Sequence, residues 1–122
     1  MKAEAFYTRD THNDGVEFEV LDQYGNKSGC FLTVVGPDSD KWRDVIVKMQ
    51  RDTLLSTFTD GRSQSEMRAE YLAEAIIGSR EFEGEMDAAR IKNLFLMAPY
   101  IADQVDKFVA KRENFTMKPE KN

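Results

Sequence analysis

The apolar residues of this chain change period once, at Gly36 and Pro37, and that change dictates the fold class. Before it, Val16, Glu17, Phe18, Glu19 and Val20 alternate with the period of two expected of a strand with one buried face. The turn formers from Asp22 to Gly29 follow, and Cys30 to Val35 is almost wholly apolar, so residues 15–35 predict a β-hairpin. After it, Asp38, Ser39 and Asp40 supply a helix cap and negative charge at a helix start, and Trp42, Val45, Ile46 and Met49 recur at i, i+3, i+4 and i+7. A two-stranded hairpin is marginal in water, so helices or another chain must cover its apolar face. The expected class is α+β: an N-terminal β-hairpin, with Ala5, Phe6 and Tyr7 as a short third strand, followed by a small bundle of about four α-helices.

The spacing predicts helices over about 39–58, 63–77, 87–98 and 100–114. Asp44 and Lys48 form an acid-first i,i+4 pair on the first, and Ser63 with Glu66 has capping-box spacing at the start of the second. The second helix carries the stripe Ala69, Leu72, Ala73, Ile76, sets Glu66, Glu70 and Glu74 in mutual repulsion on its other side, and stops at Gly78. Residues 79–87 read as a loop. Asp87 caps a helix bearing Ile91, Leu94, Phe95 and Ala98, and Pro99 separates it from a last helix with Ile101, Val105, Phe108 and Val109 inside and an Asp103–Lys107 pair outside. At 122 residues the chain is one domain. Its expected limits are 15–115, with an N-terminal arm over 1–14 and a frayed polar tail over 116–122.

Little catalytic chemistry is on offer. The one histidine, His12, lies in the polar stretch Thr11, His12, Asn13, Asp14 and reads as a surface turn residue. Cys30 sits in an apolar strand with no basic neighbour to lower its pKa and reads as core. One Cys and one His cannot form a tetrahedral zinc set, Asp38 and Asp40 lack the rest of a calcium loop, and no glycine-rich phosphate loop occurs. Glu83 and Glu85 lie in the open loop and read as solvated charge. We therefore expect no catalytic residue, no metal and no cofactor, and hence no enzyme. Residues 1–40 hold eight acids against three bases, while the remaining residues balance at 14 of each, so no basic face for nucleic acid is expected. The longest apolar run, Leu94 to Ala102, falls short of the roughly 18 residues of a membrane span. The first 15 residues carry no signal-like apolar segment and the single cysteine suits a reducing compartment, which leads us to expect a cytoplasmic protein.

Several large apolar residues fall off the stripes: Phe82, Met86, Leu96, Met97, Tyr100, Phe115 and Met117. They read either as loops packed onto the bundle or as partner contacts; the residues we single out for partner binding are Phe82, Leu96, Met97, Tyr100 and Phe115. The second strand offers an edge for pairing with a sister subunit. An alternative reading is a small acidic binding or inhibitor module whose first 40 residues engage a basic protein partner, a contact that salt would weaken.

Two blocks of sequence, in order, resemble the tail assembly chaperones of long-tailed bacteriophages. Phe31, Leu32, Thr33, Val34, Val35, Gly36, Pro37, Asp38, Ser39, Asp40, Lys41, Trp42 and Arg43 look like that family's strand, its Gly-x-Asp-Ser turn and an aromatic just inside the helix. Ala88 to Phe95, then Ala98, Pro99, Tyr100, Ile101, then Gln104, Val105, Asp106, then Glu113, Asn114, Phe115 follow its short helix, Pro-aromatic step, Gln-Val-Asp and terminal Asn-Phe. Where many relatives carry a tryptophan after the second helix, this chain has Ser79 and Arg80. The resemblance spans about residues 15–115. It implies a non-catalytic protein of the host bacterial cytoplasm that coats the tape measure protein, keeps it soluble, helps recruit tail tube protein during tail morphogenesis, and can self-assemble as a homo-oligomer.

Overall fold

The computed structural model describes residues 2–59 and 64–115. A short 3-10 turn over Ala3–Phe6 leads to α1 (Arg9–Asp14), then β1 (Val16–Leu21), β2 (Lys27–Val34), α2 (Asp40–Thr59), α3 (Gln64–Ala75), β3 (Ile76–Arg80), α4 (Ala88–Met97), α5 (Pro99–Ala110) and a closing 3-10 turn, Arg112–Phe115. The fold is α+β, with a three-stranded antiparallel sheet in the order β1-β2-β3. Residues 116–122, expected as a tail, and the Ser63 end of the expected capping box lie outside the described residues.

The hairpin pairs Val16 with Val34, Phe18 with Leu32 and Glu19 with Phe31. Leu32 and Val34 are wholly buried, and the core joins them to Val20, Leu72, Ile76, Phe95, Val105 and Phe115 among others. Helix α4 begins as its sequence requires, with the Asp87 carboxylate accepting the Arg90 N–H at 2.9 Å. Pro99 occupies the first turn of α5, where its missing N–H costs nothing.

The third strand is not where the sequence placed it. Ala5 and Phe6 belong to the 3-10 turn, and the strand forms instead from Ile76–Arg80, which the helical stripe had assigned to the second helix and the loop. Helix α3 ends at Ala75 even though Ile76 continues its buried face. The reason lies in β2. With β1 on one side only, its other edge would bury unpaired N–H and C=O groups, and β3 satisfies them by pairing Ile76 with Val34, Gly78 with Thr33 and Arg80 with Phe31. Strand β2 is consequently central, with its Phe31–Val34 stretch paired on both sides, and the outer edge of the hairpin is that of β1.

The first 14 residues are not a free arm. Side chains of α1 close the start of α2: Asn13 Oδ1 accepts the Asp40 N–H at 2.7 Å, and Arg9 donates to the Asp40 carboxylate at 2.8 Å. Ser39 completes the cap, accepting the Trp42 N–H at 3.0 Å. Two expected surface pairs and one expected repulsion give way to contacts between elements. Lys48 bonds Glu74 at 2.6 Å, Lys92 bonds Glu70 at 2.9 Å, and Asp103 accepts from Arg68 at 2.7 Å, so Glu70 and Glu74 of α3 hold neighbouring helices and Asp103 is not taken by Lys107. The last helix is shorter than expected: α5 stops at Ala110, and Asn114 Nδ2 donates to the Phe108 carbonyl at 2.9 Å beyond it.

Candidate interaction surface

The two blocks that carry the family resemblance meet in space. Phe115 is 1% exposed, and its ring lies 5.2 Å from that of His12 and 5.4 Å from that of Phe108. Gly36 sits beneath both: a Cβ there would lie 2.6 Å from His12 Cγ and 2.8 Å from Phe115 Cγ, so only glycine allows this approach. Arg112 donates to Asp38 across the same joint at 3.0 Å.

His12 is therefore no surface residue. It is fully buried, its Nδ1 accepts the Asp38 N–H at 2.9 Å, and its Nε2 has no hydrogen-bond partner. The nearest carboxylate oxygen, Asp38 Oδ2, is 3.8 Å from Nε2. Burial pushes the His12 pKa below its ordinary value; Asp38 opposes this and Arg112 adds to it. Asp38 is itself held below the usual carboxylate range, first by the Thr8 hydroxyl at 2.6 Å and then by Arg112. No local pattern signals this, because the residues that enclose His12 lie some 24 and 103 positions away along the chain in Gly36 and Phe115.

The five residues singled out for partner binding do not form one surface. Phe115 belongs to the core and is withdrawn as a contact: it lies past the end of α5, a 12-residue helix about 18 Å long whose first turn carries Tyr100. Phe82 and Leu96 are half-buried and pack against the core. Met97 is 78% exposed and Tyr100 39%, so Leu96, Met97 and Tyr100 compose an apolar corner where α4 turns into α5. Phe6 and Tyr7, at 72% and 70% exposed, are large apolar side chains that do not count as off-stripe in the sequence, where they read as part of an edge strand.

The Gln-Val-Asp stretch has three structural roles. Gln104 clamps the end of β1, Val105 is fully buried, and Asp106 accepts from Arg68 beside Asp103. The Arg68 pKa is raised by these carboxylates, Asp103 foremost.

Cys30 is half-buried, not core, with its Sγ 3.4 Å from the Glu81 carbonyl. Among the described residues no group of three or more His, Cys, Asp or Glu side chains is placed to hold a metal ion, and no helix is long and apolar enough to cross a membrane. The acids of the N-terminal 40 residues are partly engaged within the molecule: Asp40 with Arg9, Asp38 with Arg112, and Glu17 with Arg80, which holds the Glu17 pKa down. Comparison with protein-family models, with curated proteins and with solved structures finds no match.

Proposed function

We propose that this protein is a tail assembly chaperone of long-tailed bacteriophages, a non-catalytic protein of the host cytoplasm that holds the tape measure protein soluble and helps bring tail tube subunits to it. The observation that carries the reading is the joint of the two resembling blocks. The Gly36–Asp38 turn of the first is closed by Arg112 and Phe115 of the second, so residues that match the family in order also form one structural unit. A holdase further needs exposed apolar surface on a soluble domain, and the Leu96, Met97, Tyr100 corner provides it in a form suited to the apolar face of a helical client.

Co-expression with the tape measure protein of the same virus tests this. The expected outcome is a soluble client that copurifies at both low and high salt, and loss of copurification with Leu96→Asp plus Met97→Asp. A client that stays insoluble, or a complex indifferent to the double substitution, sinks the proposal. A complex that dissolves with modest salt would instead favour an acidic module engaging a basic partner.

A further inference from the structure

Strand β1 is an outer strand of the sheet, and α5 bonds its free edge at one end. There the Gln104 carboxamide accepts the Leu21 N–H and donates to the Leu21 carbonyl, both at 2.8 Å, as a residue of a neighbouring strand would. Upstream, from Val16 to Glu19, that edge has no strand partner among the described residues.

Between this edge and α5 opens a cleft of about 350 Å³. Its floor is aromatic, Phe18 stacked on Phe108 with centroids 4.7 Å apart. Its wall carries Lys107, in the last turn of α5, and Lys111, the residue that caps the end of that helix. Neither has a carboxylate partner among the described residues, whereas Arg9, Arg43, Lys48, Arg51, Arg68, Arg80, Lys92 and Arg112 are all paired. Glu19, the one acid lining the cleft, already accepts the Gly29 N–H at 2.9 Å. Two cations without a carboxylate partner, set against the single carboxylate of Glu19, leave the cleft locally positive beside an open strand edge on a protein of net charge −5.

From this juxtaposition we infer that the cleft binds an extended acidic peptide, added as a further strand along the outer edge of β1. The dimensions agree. Side chains four apart on a helix stand about 5–6 Å apart, and alternate residues of a strand about 6.5–7 Å apart. Carboxylates at i and i+2 of the incoming strand thus meet Lys107 and Lys111, and an apolar side chain two residues further along the same face covers Phe18 and Phe108. Main-chain bonds to the edge supply affinity and the two lysines select for acid. This binding is independent of the chaperone reading, which rests on the joint of the two resembling blocks and on the α4–α5 corner.

The test is fluorescence anisotropy of the full chain with a labelled synthetic peptide of pattern Glu-Thr-Glu-Thr-Phe-Thr. The expected result is saturable binding that weakens with salt, and weakens at least about tenfold in Lys107→Glu plus Lys111→Glu but not in Lys2→Glu. Unchanged thermal melting of the double variant shows that the fold is intact. N-methylation of alternate peptide amides is expected to abolish binding. No binding to the unaltered protein, binding retained by the double lysine variant, or equal binding of the N-methylated peptide overturns the inference. Preference for an oligothymidylate through the same lysines also overturns it, assigning the surface to phosphate.

Discussion

His12 gives the domain a built-in pH dependence. Its ring has no exposed surface, Nδ1 is already an acceptor, and Nε2 is buried without a partner, so the neutral form is the one that fits. In the unfolded chain the imidazole takes up its proton as pH falls through about 6.5, whereas in the fold burial opposes protonation. The unfolded state then binds more protons than the folded one, and stability falls with pH below that value, by up to about 1.4 kcal/mol per pH unit for one proton. Asp38 acts lower: with its pKa depressed, its contribution is present above the ordinary carboxylate range and is lost only as pH falls through the depressed value. Urea unfolding at pH 7.5 and at pH 5 is therefore expected to show a loss of stability that His12→Gln greatly reduces. An equal loss in wild type and variant would mean that other groups set the acid limb.

At the scale of elements, the β1 end is held to α5 by one side chain. Gln104→Ala removes both bonds to Leu21 and leaves its N–H and carbonyl to solvent, since Leu21 is partly exposed; a loss of about 1–2 kcal/mol is expected in urea unfolding. Gln104→Glu keeps an acceptor for the Leu21 N–H but turns the donor facing the Leu21 carbonyl into a second acceptor, so it is expected to be no better than alanine. The elements also show what a sequence of this kind reveals. Val16, Phe18 and Val20 announce β1 because the burial of one face is written in alternate positions, and the stripes from Ala69 to Ala73 and from Ile101 to Val109 announce helices in the same way. Strand β3 is silent: Ile76, Ile77, Gly78, Ser79 and Arg80 have no alternation, and what extends them is the unmet edge of β2, a partner distant in sequence. The same holds for the candidate contacts. Off-stripe position singled out Met97 and Tyr100, which are exposed, but equally Phe115, which is off the α5 stripe because it packs on Gly36 after the helix has ended.

For the whole molecule, this separation of Met97 from Phe115 divides residues that hold the domain together from residues free to act on something else. Phe115 joins the C-terminal turn to α1 and to the turn before α2, touching His12, Gly36 and Phe108. Truncating so large a buried ring leaves a cavity at the meeting of both ends of the domain, and Phe115→Ala is expected to cost about 3–5 kcal/mol, a large share of the 5–15 kcal/mol typical of a folded domain. Met97, mostly in solvent, belongs to the other class: Met97→Asp is expected to change stability by no more than about 0.5 kcal/mol. The two variants compared by thermal melting and by client copurification distinguish two ways of losing function. If Met97→Asp melts as the unaltered protein does and yet weakens copurification, the α4–α5 corner contacts the client directly. If only Phe115→Ala affects copurification, and only in proportion to its loss of fold, then the corner is surface without a role and the client must be held elsewhere on the domain.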